Sequence, residues 1–160
     1  MATVVFPGSF DPFTLGHVDI AVRARRLFDT VIIAVAHNSS KAPLLDVDTR
    51  VELARSAVDH VAGIEVEATS GLLVDFCEER GAVAIVKGLR GGADYDVERP
   101  MALMNRSLTG IETVFLTGDS ALSHIASSLV RDVARHGGDV SAYVPPGVES
   151  ALLAALRAQK

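Results

Sequence analysis

Short apolar runs alternate with amphipathic stretches along the whole chain. Five runs rich in β-branched residues predict strands at 3–6, 30–36, 64–68, 83–87 and 113–116. The stretches between and after them carry hydrophobic residues three and four positions apart, which is typical of helices. They predict helices at 17–28, 48–61, 72–80, 100–108 and 127–136, and a C-terminal helix at about 149–159. This alternation indicates an α/β fold.

Some of the strand candidates are almost entirely apolar, such as "TVIIAVA" and "AVAIVKG". Strands of this kind are usually buried on both faces of a parallel sheet that crossover helices cover. We therefore expect a doubly wound, Rossmann-like α/β fold with a five-stranded parallel sheet. Ligands bind such sheets beyond the carboxyl ends of the strands. The candidate binding segments are accordingly 7–16, 37–45, 69–73, 88–94 and 117–128.

The composition of the chain limits the kinds of partner that it is expected to bind. The chain has 160 residues, which fits one domain over 1–160, and its net charge is −5 with 15 basic and 20 acidic residues. The basic residues form no block, which argues against binding to nucleic acid or to an anionic membrane. The lone Cys77 cannot form an internal disulfide, and the N-terminus lacks a leader pattern. We expect a cytoplasmic protein without a membrane span.

The opening stretch "VVFPGSFDPFTLGHVDI" holds the most suggestive chemistry. A predicted strand enters a glycine-bearing loop, and Gly16 and His17 follow at the predicted start of a helix. The first turn of a helix binds anions through its free N–H groups and dipole, and a histidine there could add a directed donor. The pattern alone equally allows His17 to be a simple cap on the surface. Neither the P-loop nor the dinucleotide fingerprint is present.

The segment "GSFDPFTLGH" resembles the (H/T)xGH signature of the nucleotidylyltransferase superfamily, in the form found in bacterial phosphopantetheine adenylyltransferases. The blocks "SSKAPLLDVDTRVELA", "VKGLRGGADYDVE", "MALMNRSLTGIETVFL" and "SSLVRDVARHGGDVSAYVP" agree with that family in order and spacing. The resemblance covers residues 4 to about 156. It implies the fold of these enzymes and their reaction in coenzyme A biosynthesis, which transfers AMP from ATP to 4′-phosphopantetheine by direct in-line displacement.

The resemblance also implies the site residues. His17 would stabilise the transition state, Ser9 would contact both substrates, and Lys41 would hold the phosphate of phosphopantetheine, although the pattern alone also allows Lys41 to be a solvated loop lysine. The implied phosphopantetheine site comprises Ser9, Lys41, Leu73 and Lys87. The implied ATP site comprises Ser9, Phe10, Gly16, His17, Gly88, Leu89, Arg90, Glu98, Leu122, Ser123, His124, Ile125, Ala126, Ser127 and Ser128.

Some positions depart from the family pattern or allow a second interpretation. Val97 replaces an aromatic residue, and Pro100 predicts that a helix starts there or is kinked. Ala126 replaces a serine, and the two serines after it suit helix capping as well as phosphate binding. Arg131 faces the same helix end but could be a surface charge. Cys77 is expected in the core, and the remaining histidines share no zinc-ligand spacing.

The resemblance implies Mg²⁺ as a partner of the ATP phosphates, a homohexamer, and feedback inhibition by coenzyme A. Two rival functions stay open at this point. One is another transferase of the superfamily, acting on a nicotinamide or glycerol phosphate. The other is an adenine-nucleotide sensor without catalysis on the same fold.

Overall fold

The computed structural model describes residues 1–37 and 42–160. Strands and helices alternate through most of the chain. The strands are β1 (Thr3–Gly8), β2 (Thr30–Ala36), β3 (Ile64–Thr69), β4 (Ala84–Leu89) and β5 (Glu112–Thr117). The helices are α1 (Leu15–Leu27), α2 (Val47–Val58), α3 (Leu73–Glu79), α4 (Gly92–Thr109), α5 (Ser127–Arg135) and α6 (Val148–Ala158), with a short 3₁₀ turn at Ser120–Leu122.

The strands form one parallel sheet in the order β3-β2-β1-β4-β5. β1 lies at its centre and pairs with β2 on one side and β4 on the other. The chain therefore winds outward in both directions from β1, and the strand order switches between β1 and β4. The predicted doubly wound, five-stranded parallel α/β fold is confirmed. A switch of this kind opens a crevice at the carboxyl ends of the two strands, where ligands bind.

Both faces of the central strands β1, β2 and β4 are largely buried, as their apolar runs predicted, whereas the edge strands β3 and β5 are more exposed. Val4 and Phe6 of β1 belong to the cluster covered by α1 and α2, while Val5 belongs to the cluster on the opposite face. Cys77 of α3 lies in that second cluster and is fully buried, so its predicted place in the core is confirmed. No helix in the described ranges combines the length and hydropathy needed to cross a bilayer.

The predicted start of the fourth helix is wrong, whereas its predicted end is correct to within one residue. α4 begins at Gly92, eight residues before the predicted start at 100, and it continues through Pro100. Proline fits helical φ but has no N–H, so the carbonyl of Asp96 loses its partner one turn back. The helix ends at Gly110, whose φ of 81° provides a left-handed C-terminal cap. The bounds of the other elements differ from the predictions by three residues or fewer.

Candidate active site

A cleft of about 680 Å³ lies at the carboxyl ends of β1 and β4, where the strand order switches. The loops after β1, β4 and β5, residues 42–44, and the first turns of α1 and α5 form its walls. Most of the sequence-predicted site residues line it. They are Ser9, Phe10, Gly16, His17, Lys87, Gly88, Leu89, Arg90, Glu98, Leu122, Ser123, Ile125, Ala126, Ser127 and Ser128.

Three predicted site residues are not in this lining. Lys41 lies outside the described residues, so its predicted role stays a prediction. His124 is absent from the cleft wall, and its ring meets Tyr143 edge-on at a centroid distance of 5.8 Å. Leu73 lines a separate pocket of about 40 Å³, which shares Lys87 and Glu98 with the cleft. Leu73 is therefore next to the cleft, whereas the ring of His124 packs against a different part of the structure.

Phe10 shapes the loop after β1. Its φ is 51°, a left-handed conformation that side-chain-bearing residues rarely adopt, and its ring is only 3% exposed. The ring folds back over Gly8, where a Cβ atom would lie 2.9 Å from Phe10 Cζ. It also meets the ring of His17 edge-on, with centroids 4.9 Å apart. The buried aromatic ring thus anchors the loop beside the start of α1.

His17 both caps α1 and lines the cleft. Thr14 is the N-cap residue, and its backbone N–H donates to His17 Nδ1 at 2.9 Å. In return, the His17 N–H donates to Thr14 Oγ1 at 3.4 Å. Because Nδ1 accepts a hydrogen bond, a neutral ring carries its proton on Nε2. The cap that the sequence allowed is present, and it leaves Nε2 as the donor of a cleft-lining residue.

The cleft keeps this imidazole neutral. Burial lowers the pKa of His17 most, and the positive charges of Lys87 and Arg90 lower it further, to about 3. A pKa this far below the ordinary value of about 6.5 means that the neutral form predominates at pH 7. His17 is therefore a hydrogen-bond donor without a charge.

Each cation of the "KGLR" segment is paired with a carboxylate from α4. Lys87 Nζ lies 3.2 Å from Glu98 Oε1. Arg90 donates through Nε to Asp94 Oδ2 at 3.1 Å, and through Nη1 to the carbonyl of Ile125 at 3.2 Å. Burial raises the pKa of Asp94, but the hydrogen bonds and charge of Arg90 outweigh this effect, so the net shift is downward. α4 thus holds both cations in fixed positions at the cleft.

The start of α5 uses its polar side chains to hold the loop after β1. Ala126 is the N-cap residue and makes no side-chain cap, so neither serine caps this helix. Ser127 Oγ donates to the carbonyl of Pro12 at 2.8 Å. Arg131 Nη1 donates to the carbonyl of Asp11 at 2.6 Å and also lines the cleft, so it is not a plain surface charge. Ser128 lies in the cleft wall.

The charged cleft residues that were not predicted as site residues include Asp11, Asp19 and Arg50. Asp19 Oδ2 accepts from the backbone N–H of Asp119 at 2.8 Å and so ties α1 to the loop after β5. Arg50 offered a signal, because it stands four positions before Ala54 on the buried face of α2. A charged residue on an apolar helix face usually has a specific partner.

The acidic side chains of the cleft do not form a metal centre by themselves. Within ranges 1–37 and 42–160, no group of three or more His, Cys, Asp or Glu side chains is arranged to hold a metal ion.

Residues 5–133 match the family model described as cytidylyltransferase-like. A phosphopantetheine adenylyltransferase from Nocardioides sp. is 51% identical over 158 residues, covering 99% of both chains. Another, from Kocuria rhizophila, is 53% identical over 153 residues, covering 95% of this chain and 98% of that protein. The chain belongs to the phosphopantetheine adenylyltransferase family. The resemblance drawn from the "GSFDPFTLGH" segment and the later blocks is thereby confirmed.

A solved structure supports the fold of this phosphopantetheine adenylyltransferase family member. It is a protein from Vibrio parahaemolyticus, assigned provisionally as a nicotinate-nucleotide adenylyltransferase, with a TM-score of 0.64. The match covers 96% of this chain and 99% of that chain at 20% sequence identity. At this identity the likeness concerns the fold alone.

Proposed function

We propose that this chain transfers the adenylyl group of ATP to 4′-phosphopantetheine, giving dephospho-coenzyme A and pyrophosphate. A phosphate oxygen of phosphopantetheine attacks the α-phosphorus of ATP, and the bond from that phosphorus to the pyrophosphate oxygen breaks. This displacement needs alignment of the two substrates and stabilisation of the charge on the phosphoryl oxygens, but no protein nucleophile. The observation that carries the proposal is the neutral His17 at the start of α1, beside Lys87 and Arg90.

His17 has the geometry of a transition-state donor. Its Nδ1 is held by the backbone of Thr14, so the ring orientation is fixed before any ligand arrives. Nε2–H then donates to an oxygen of the α-phosphate, and the dipole of α1 adds positive potential at the same place. Donors that are already oriented stabilise a transition state without a cost of reorganisation.

The proposed substrate positions follow from the neighbouring groups. Lys87 lines both the main cleft and the small pocket that contains Leu73, which supports a place for it between the phosphate and the arm of phosphopantetheine. Arg90 and Ser128 lie on the cleft wall and suit the phosphates of ATP. Lys41 remains the proposed partner of the phosphopantetheine phosphate, by the family resemblance.

Mg²⁺ is proposed as a companion of ATP and not as a resident ion. The described residues provide no cluster of three ligands, and Asp94 and Glu98 are already paired with Arg90 and Lys87. Mg²⁺ commonly binds through substrate phosphates and keeps several waters. Calorimetry should therefore detect Mg²⁺ binding only when ATP is present. Tight Mg²⁺ binding to the protein alone would contradict this proposal.

We further propose a homohexamer in the cytoplasm. Val97, Met101, Met104 and Leu108 form one row on α4 and are between 53% and 76% exposed. An exposed apolar row of this kind supports burial against another copy of the chain. Light scattering tests the assembly, and a monomeric mass would contradict it. Coenzyme A contains parts of both substrates, so we also propose that it inhibits by occupying the cleft, which competition kinetics would test.

The decisive experiment is a pyrophosphate-release assay with several phosphorylated acceptors. We expect turnover with ATP and 4′-phosphopantetheine, and none with nicotinamide mononucleotide, nicotinate mononucleotide or glycerol 3-phosphate. Turnover of another acceptor without turnover of phosphopantetheine would assign the chain a different transferase reaction. ATP binding without turnover of any acceptor would indicate a sensor.

A further inference from the structure

Arg50 is a buried arginine of α2 that bonds to backbone carbonyls. It is 2% exposed and, in the described part of the chain, forms no ion pair with a carboxylate. Its Nε donates to the carbonyl of Leu45 at 3.0 Å. Its Nη1 donates to the carbonyls of Ser9 at 2.7 Å and Ala36 at 2.9 Å. Since a buried charge is costly without such partners, these bonds indicate a side chain held in one place.

Asp11 holds the same segment from the other side. This carboxylate is 6% exposed and accepts two backbone hydrogen bonds. Its Oδ2 accepts from the N–H of Leu44 at 2.9 Å, and its Oδ1 accepts from the N–H of Leu45 at 3.0 Å. Leu45 is thus held through its N–H by Asp11 and through its carbonyl by Arg50. We call this arrangement the Leu45 clamp.

The clamp connects two parts of the cleft lining through one loop. Residues 42–44 line one wall, and the first turns of α5 line another. Asp11 also accepts from Arg131 Nη1 through its backbone carbonyl at 2.6 Å, and Ser127 binds the next carbonyl, that of Pro12, at 2.8 Å. The loop after β1 is therefore fixed to α5 on one side and to residues 44–45 on the other.

We propose that Asp11 and Arg50 are positioning residues for adenylyl transfer, because the Leu45 clamp sets the distance between the two walls that receive the substrates. This inference rests on the proposed function. Both side chains act through backbone groups: Arg50 also holds the peptide between Ser9 and Phe10, two proposed ligand contacts. In-line displacement depends on alignment, and a shift of about 1 Å can cost on the order of 10²-fold in rate.

The test compares Arg50→Lys and Asp11→Asn with the control Arg55→Lys. One ammonium group cannot replace the fork that serves three carbonyls. Asparagine has one oxygen and one NH₂ group, so one of the two N–H donors, Leu44 or Leu45, loses its acceptor. Arg55 is on the same helix, has a more exposed side chain, and donates to the carbonyl of Val66 at 3.2 Å. Its replacement changes an arginine of α2 without changing the clamp.

Two readouts separate positioning from general stability. At a temperature well below each melting point, we expect kcat of Arg50→Lys and Asp11→Asn to fall by about 10- to 100-fold, with KM for ATP changed by less than about threefold. We also expect the amides of Leu44 and Leu45 to exchange hydrogen at least about tenfold faster in both variants. The Arg55→Lys control should match the wild type in both measurements. The kcat of the double variant should be no lower than that of the less active single variant, because both changes release the same clamp.

Folded variants with wild-type kcat, or with unchanged exchange at Leu44 and Leu45, would overturn the proposal. A lower melting temperature with kcat unchanged would mark a purely structural role. If Arg50→Lys does not fold, Asp11→Asn alone decides by the same two readouts. A wild-type protein that fails to adenylylate phosphopantetheine contradicts the proposed function, whereas the exchange experiment on the protein alone still tests the clamp.

Discussion

The replacement His17→Asn separates the capping contact of this residue from its proposed catalytic role. An asparagine oxygen can occupy the place of Nδ1 and accept from the N–H of Thr14, which is 2.9 Å from Nδ1 in the structure. The cap of α1 is therefore retained, since asparagine is shorter than histidine but reaches that atom. It does not place a donor at the position of Nε2. His17→Ala serves as the comparison, because it removes the hydrogen bond from the Thr14 N–H and the Nε2 donor together.

The expected loss of kcat follows from the removal of one oriented donor at the proposed α-phosphate position. Removing such a donor costs about 10²–10³-fold in kcat, or roughly 2.7–4 kcal/mol. We expect both variants to show this loss while the Kd for ATP changes by less than about threefold, because the donor acts mainly in the transition state. Loss of the cap should cost His17→Ala a further ~1 kcal/mol of unfolding free energy. That corresponds to about 2–4 °C in Tm for a chain of this size.

Initial rates of pyrophosphate release at saturating substrates give kcat, calorimetry gives the Kd for ATP, and thermal unfolding gives Tm. If His17→Asn keeps kcat within about threefold of the wild type, Nε2 is not the donor. If the Kd for ATP rises as much as kcat falls, His17 binds the ground state and the transition state equally. Equal Tm values for the two variants would refute the assigned cap.

Three further predictions concern pH, packing and reactivity. The pKa of His17 is about 3 in the folded protein against an ordinary 6.5, so between these values the unfolded chain binds more protons and stability falls as pH falls. From pH 7 to pH 5, urea unfolding should show the wild type losing about 2 kcal/mol more than His17→Asn. Gly88→Ala places a Cβ 2.6 Å from Ile20 Cγ1 and should cost about 1–3 kcal/mol, whereas Gly92→Ala meets open space and should leave Tm nearly unchanged. Burial raises the pKa of Cys77 to about 11, so a thiol reagent at pH 8 should react at least about 100-fold more slowly with native than with unfolded protein.

Each of these predictions has a contrary result. Parallel stability curves for the wild type and His17→Asn would mean that His17 titrates normally. Equal melting temperatures for Gly88→Ala and Gly92→Ala would show that Ile20 moves aside at little cost. Rapid labelling of Cys77 in the native protein would mean that α3 opens readily.

The central strands could be predicted from local sequence because they are largely buried on both faces. Their apolar runs are long, so neither strand order nor side-chain direction is needed to find them. The first half of α4 could not be found in the same way, since Gly91, Gly92 and Pro100 all weigh locally against a helix. Packing decides otherwise: Tyr95 meets Phe115 of β5 edge-on, with ring centroids 5.3 Å apart. Tertiary contacts here outweigh local propensity.

For the site, too, residues within one segment could be predicted from the sequence, whereas contacts between distant segments could not. Residues that belong to one short segment, such as those of "GSFDPFTLGH", could be read from the family resemblance. Asp11 and Arg50 could not be assigned their contacts, because their partners are backbone groups, and those of the Ser9, Leu44 and Leu45 segments lie up to 41 positions away in the chain. Every residue has a backbone carbonyl, so the residue type does not reveal which carbonyl a side chain will bind. The fold brings these segments together.

The neutral state of His17 has two kinds of cause, which are burial and nearby positive charge. Lys87 and Arg90 lower the pKa of His17, but burial is the larger cause. The proposed donor in the reaction is the Nε2–H that the Thr14 cap orients. A comparison of His17 with asparagine therefore measures one hydrogen bond, without the loss of a charge.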